Sequence, residues 1–290
     1  MNGHTTSDLP EELLVCGSAA SEAVPAIFCD CELCREAWKR GGKDWRSRCS
    51  YQLGPEIKID FGPDAMLHRE KFQLHYEELK HLFITHPHRD HYTPVQLTYH
   101  IHGEIGPALL KEHTFVLHGT APVIEGFKAA CKVDFSRMRM ELDELRPDRD
   151  CRILENGMKF TGIMANHLCE GALNYIIEMP SGFTFFIGTD SAKFEEKTWK
   201  ILKEYHFDLM ILDGTAGLLD IEEGSHMTAS HVLAAVRRLR EEKIIDDRSK
   251  IVTNHFAHCA KMLHSNLESF YRPHGIEPAF DGMKIKLSRS

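Results

Sequence analysis

The sequence contains no apolar run approaching the roughly 20 residues that cross a bilayer. Its first residues, Met1 to Asp8, show no basic region leading into an apolar one. Both absences make a cytoplasmic location the expectation, with no membrane partner. Positive charge is also short, with 35 Lys and Arg against 43 Asp and Glu and a formal net charge of −8. A broad nucleic-acid surface draws on clustered cations, so it is disfavoured, whereas a small anion held by metals is not. The nine cysteines are odd in number, and three crowd into Cys29-Asp30-Cys31-Glu32-Leu33-Cys34, within the segment 27–36. That crowding suits thiolate metal ligation in a reducing compartment better than a disulfide framework. There is no internal repeat and no low-complexity tract. Hydrophobic residues at 42% and charged residues at 27% suffice for an ordinary core. The expectation is a mobile tail over residues 1–10 and one domain over 11–290.

What is present is concentrated in one stretch. Leu82-Phe83-Ile84-Thr85 is an apolar run of strand length, followed at once by His86-Pro87-His88-Arg89-Asp90-His91. The ligand-type side chains thus fall in the loop at a strand's carboxyl end. Imidazoles and a carboxylate crowded this closely repel one another if all are charged, and a divalent cation relieves that. Three further runs end similarly, at Met164-Ala165-Asn166-His167, at Ile187-Gly188-Thr189-Asp190 and at Val252-Thr253-Asn254-His255.

The motif and the order of these partners resemble the metallo-β-lactamase-fold hydrolases, over the chain from about residue 14 to residue 258. The resemblance implies an α/β fold, an αββα sandwich of two mixed β-sheets flanked by helices. It implies that His86, His88 and His167 hold one metal and that Asp90, His91 and His255 hold a second, with Asp190 bridging. Zn²⁺ and Mn²⁺ both suit that donor set. A water shared by the two ions and polarised to hydroxide would then attack the substrate, with Asp90 counted in the catalytic machinery. Cys29, Cys31 and Cys34 provide three soft ligands of a tetrahedral zinc site, the alternative being buried, unligated cysteines. Phosphodiesterases resembling the cyclic phosphodiesterase of the carbon-phosphorus lyase pathway carry such a structural zinc with a His as fourth ligand. In them that His lies three residues beyond the last catalytic-site His, the place His258 takes after His255. The same subset turns a loop His towards the substrate, which implies that role for His226 against that of a plain loop histidine. The implied activity is hydrolysis of a small phosphodiester, cyclic ribose phosphates included. The alternatives are a lactonase or thioesterase of the same fold, or a metal-binding accessory like the pyrroloquinoline-quinone biosynthesis B proteins. A tRNA-processing nuclease of this fold would need a long RNA-binding arm and basic patches, and neither is evident. A homodimer is the default assembly.

The remaining elements read as follows. Strands are expected over 11–16, 51–60 as a pair, 114–118, 207–213 and 250–254. A hairpin is expected from Asn174–Glu178 and Phe183–Ile187 around Pro180-Ser181-Gly182. Helices are expected over 65–80, from Thr93-Pro94 onward, and over 121–130, 194–205 and 228–242. Asp60 and Asp213 each end a strand near the site, where a supporting role and an ordinary turn or cap are equally open. His100 and His102 read as rim groups, and 137–150 as a solvated connection. Segments 92–113 and 131–150 exceed what a minimal member needs and are placed to shape the substrate mouth.

Overall fold

Alternation decides which way each strand faces. In β1 (Glu12–Gly17), Leu13 and Val15 point one way and Leu14 and Cys16 the other, and β2 (Ser50–Leu53) and β3 (Ile57–Ile59) repeat the pattern. The computed structural model describes residues 9–101, 114–132, 134–221 and 224–289. Apart from Leu9 and Pro10, the expected mobile tail lies outside them, as do His102 and most of segment 92–113.

After α1 (Glu32–Arg40), β1 to β3 continue through α2 (Ala65–Phe72), β4 (His81–Phe83), α3 (Pro94–Leu97), β5 (Phe115–Gly119), α4 (Ala121–Ala130) and β6 (Met140–Glu144). The second half comprises β7 (Cys151–Ile153), β8 (Lys159–Met164), β9 (Leu173–Glu178), β10 (Thr184–Gly188), α5 (Glu196–Leu202), β11 (Leu209–Asp213), α6 (Ala229–Glu241), β12 (Lys250–Asn254), α7 (His264–Tyr271) and β13 (Ile276–Pro278). The last strand, β14 (Met283–Lys286), returns to the first half. The two seven-stranded sheets run β14-β1-β2-β3-β4-β5-β6 and β13-β12-β11-β10-β9-β8-β7. Both are mixed, since β3 to β6 and β10 to β13 pair in parallel and the other neighbours antiparallel.

The sheets pack face to face through Leu13, Ile59, Phe83, Phe160, Phe185 and Ile211, with Phe83 and Phe160 stacked at 4.0 Å. On the outer face of the first sheet, Leu82 and Leu117 meet Leu97, Val123 and Phe127 of α3 and α4. On that of the second, Met210 and Ile251 meet Trp199, Val232, Val236 and Leu267 of α5, α6 and α7. The result is the expected αββα sandwich.

Several expectations need correction. Met140–Glu144, read as part of a solvated connection, is an edge strand paired with β5. The helix expected over 65–80 stops at Phe72, because Gln73 adopts a left-handed conformation with φ 53°. The helix opened by Pro94 runs only to Leu97.

Candidate metal centre

The site forms where the parallel strands of both sheets end. Past β4 the chain is held by side chains: Tyr175 Oη donates to the Ile84 carbonyl at 2.8 Å, and Thr85 donates through N and Oγ1 to Asp60 Oδ1 at 2.8 and 2.9 Å. Asp60 Oδ2 also lies 2.7 Å from His91 Nδ1. One fully buried carboxylate at the end of β3 thus ties down both ends of the His-rich loop. Of its two readings, the supporting one holds.

The inner faces of the histidines converge on Asp190. Its Oδ2 lies 3.2 Å from His86 Nε2, 2.8 Å from His91 Nε2 and 3.4 Å from His255 Nε2. Asp90 Oδ2 lies 3.3 Å from His91 Nε2 and 3.6 Å from His255 Nε2. Three groups of donors result, each mutually within 4.8 Å: His86, His88 and His167, open to solvent through His88; Asp90, His91, Asp190 and His255, all buried; and Asp190, Asp213, His226 and His255, which shares Asp190 and His255 with the second. The outer nitrogens are committed elsewhere, His86 Nδ1 to Thr85 Oγ1 at 3.0 Å and His255 Nδ1 to Thr215 Oγ1 at 2.7 Å. Such partners fix each ring and aim its other nitrogen inward. There His91 Nε2 faces His255 Nε2 at 3.1 Å, and His88 Nδ1 faces His167 Nε2 at 3.1 Å.

These donors fit a pair of divalent cations. His86 Nε2 and Asp190 Oδ1 are buried without a directed hydrogen bond, a state that costs free energy unless a ligand completes it. Charge points the same way. Burial opposes a proton on His91, yet Asp60, Asp90 and Asp190 together raise its pKa well above the usual imidazole value. The carboxylates draw positive charge into a buried site, which is what a metal would supply. Asp60, Asp190 and His255 all hold positive φ, at 63°, 55° and 68°, strain that clusters where geometry serves function.

Beside the buried group stands His226, partly exposed. Its Nδ1 lies 3.0 Å from Asp213 Oδ2 and 3.2 Å from Asp190 Oδ1. Asp213 is fully buried and accepts from Thr215 N and Oγ1 and from Met227 N, so it braces the loop bearing His226. Burial works against the charged form of His226, but the bond to Asp213 and the charges of Asp213, Asp190 and Asp90 lift its pKa to about 9. Sequence reasoning missed Thr85 and Thr215 as partners of ligand rings. For Thr85 a signal existed in its place directly before His86.

Cys29, Cys31 and Cys34 come together with their sulfurs within 4.8 Å at the start of α1. Ala26 N donates to Cys34 Sγ at 3.3 Å. His258, expected as their fourth partner, lies on the turn His258–Ala260 and is not among the donors mutually within that distance. Its Nδ1 is buried without a hydrogen-bond partner among the described residues.

Residues 56–245 match the Beta-lactamase superfamily domain. The chain belongs to the β-lactamase superfamily. Its fold is the metallo-β-lactamase fold, which generally binds divalent metals such as zinc. No curated protein matches its sequence. Among solved structures it is similar to a diphosphatase of the PhnP family, at 20% identity and TM-score 0.75, over 96% of this chain and 98% of that one. It is also similar to zinc-bound PqqB from Methylobacterium extorquens, at 16% identity and TM-score 0.73, over 95% and 100%. Human tRNase Z, short form, follows at 15% identity and TM-score 0.60, over 96% and 99%. At these identities the likeness is one of fold. Among the described residues no helix is long and apolar enough to cross a membrane.

Proposed function

We propose that this superfamily member hydrolyses a small phosphodiester, a cyclic ribose phosphate being one candidate. The observation that carries this reading is the pairing of an open three-histidine group with a buried Asp90, His91 and His255 group around one Asp190 oxygen, with His226 at the rim. His86, His88 and His167 would hold one ion, and Asp90, His91 and His255 the other, with Asp190 between. When bound, such ions supply Lewis acidity and lower the pKa of water. The chain's own residues do the rest. Asp60, Thr85 and Thr215 fix the ligand rings. The exposed side of the centre, at His88 and His226, is where substrate enters. Asp213 holds His226 protonated, so that it donates to the leaving alkoxide oxygen. A phosphodiester, with one negative charge shared by two non-bridging oxygens, makes fuller use of two cations than a carbonyl does, and a diphosphatase of the same fold supports chemistry at phosphorus. Cys29, Cys31 and Cys34 are read as a structural zinc site, for which His258, whose buried Nδ1 has no hydrogen-bond partner among the described residues, would supply the fourth ligand once metal is bound. The net charge of −8 supports a small-molecule substrate over nucleic acid. A second reading, a metal-binding accessory protein, is favoured by the likeness to PqqB.

The test is turnover of a bis-aryl phosphodiester, cyclic nucleotides, a cyclic ribose phosphate and a diphosphate diester, beside a lactone and a thioester, with Zn²⁺- and Mn²⁺-loaded protein. Phosphodiester hydrolysis that falls on the order of a thousandfold in Asp90→Ala is expected. Turnover of the lactone or thioester alone overturns the reading. No turnover with metals bound moves it to the accessory role.

A further inference from the structure

The outer face of the first sheet buries a pair that the proposed hydrolysis does not use. Because Ile57 and Ile59 of β3 point into the core between the sheets, Lys58 points outward. It is nevertheless fully buried, as is Cys16 of β1. Lys58 Nζ donates to Cys16 Sγ at 3.8 Å, and the Tyr76 ring lies 5.3 Å from the amine. Among the described residues no carboxylate lies within ion-pair distance of Lys58. The other contact of Cys16 Sγ, to the Leu14 carbonyl, is long at 4.0 Å. A lysine buried without a carboxylate is costly, so the sulfur is its counterpart. One proton passed across the short gap separates the thiolate–ammonium pair from the thiol–amine pair, and in the latter both facing atoms carry the free electron pair that makes them nucleophilic.

We propose that Cys16 and Lys58 are a redox modification site, closing into a covalent sulfur–oxygen–nitrogen bridge when a small oxidant, dioxygen or hydrogen peroxide, reaches them. The step balances. With dioxygen, one oxygen atom is retained between Sγ and Nζ, forming an S–O and an O–N bond. The S–H and one N–H bond break, and the second oxygen leaves as water with both hydrogens. Sulfur and nitrogen each lose two electrons, and dioxygen takes all four. Two equivalents of peroxide give the same bridge and three waters. A one-atom bridge suits the observed gap better than a direct S–N bond, which requires the atoms to approach further. Complete burial shuts out glutathione-sized oxidants, so a mixed disulfide at Cys16 is not the expected product. The bridge would tie β1 to β3 across β2, and β3 leads directly into Asp60, which anchors Thr85 and His91. Oxidation would thereby stiffen the strand that supports the metal centre. The inference does not depend on the substrate of that centre.

Peptide mapping of the full-length protein after aerobic or peroxide exposure, with and without a strong thiol reductant, tests it. The expected product joins the peptides of Cys16 and Lys58, is heavier than their sum by one oxygen less two hydrogens, resists trypsin at Lys58, and reverts on reduction. It should be absent from Cys16→Ser and from Lys58→Arg. The wild-type map decides alone if either variant fails to fold. A sulfinic or sulfonic acid on Cys16 with Lys58 free, a link lacking the oxygen, or an unmodified Cys16 under conditions that oxidise the exposed Cys151 overturns the proposal.

Discussion

His226 is held between two carboxylates at the edge of the donor cluster, and its proton is the property that geometry sets. Burial disfavours the imidazolium, and Asp213 outweighs it, giving a pKa of about 9. The general-acid role proposed for His226 requires its protonated form, so under that proposal kcat should hold below that pKa and fall as pH rises through it. Cations bound at the two neighbouring groups draw the limb to lower pH, since they disfavour a third positive charge. Asp213→Asn removes the raising charge and should move the alkaline limb further acidward, with kcat at acid pH largely kept. His226→Gln should abolish the limb and cost roughly 10²–10⁴-fold in kcat. Identical limbs in wild type and Asp213→Asn would show that Asp213 does not set this proton. The sequence made the strand-end residues legible because each stands where an apolar run stops. It left Asp60 and Asp213 undecided, since their roles depend on neighbours brought in by pairing. Asp60 reaches Thr85 only because β3 lies beside β4.

At the scale of elements, the loop of the motif is shaped by what abuts it. Phe61 N donates to the His91 carbonyl at 2.8 Å, and Thr93 N donates to the Phe61 carbonyl at 2.9 Å. A Cβ placed on Gly62 would lie 1.9 Å from the Asp90 carbonyl oxygen, a backbone atom that cannot swing aside. Gly62→Ala should therefore displace the loop, destabilise by about 1–3 kcal/mol and lower the metal content of the buried group. Gly126→Ala makes the control, because its Cβ meets only a Tyr92 ring atom at 3.6 Å. Metal analysis beside thermal melting distinguishes them, and a Gly62→Ala protein that loads like wild type would count against the clamp. Element type was readable wherever period and punctuation agreed, as in the hairpin of β9 and β10. It failed at β6, where Glu141, Asp143 and Glu144 gave an edge strand the charge of a loop. It failed again at α2, where nothing in Phe72-Gln73-Leu74 announced a left-handed Gln73.

Across the whole molecule, the donors come from both layers. His86, His88, Asp90 and His91 follow β4 of the first sheet, whereas His167, Asp190 and His255 follow β8, β10 and β12 of the second. Ions bound there would tie sheet to sheet at one end of the sandwich, replacing the protons that the buried carboxylates otherwise hold on their imidazole neighbours. Metal binding to the folded state alone adds stability by mass action, about 2.7 kcal/mol for one site at a hundredfold excess over Kd. For a domain of this size that corresponds to a rise in Tm of roughly 5 °C per site. Chelated protein titrated with Mn²⁺, which the hard Asp and His donors accept more readily than the three thiols do, should show that rise. Asp190→Ala, lacking the oxygen common to both groups, should lose most of it, while Cys34→Ser should keep it. An unchanged Tm on Mn²⁺ addition would mean that the apolar interface between the sheets fixes their spacing alone, and that the donors are preorganised without contributing to cohesion.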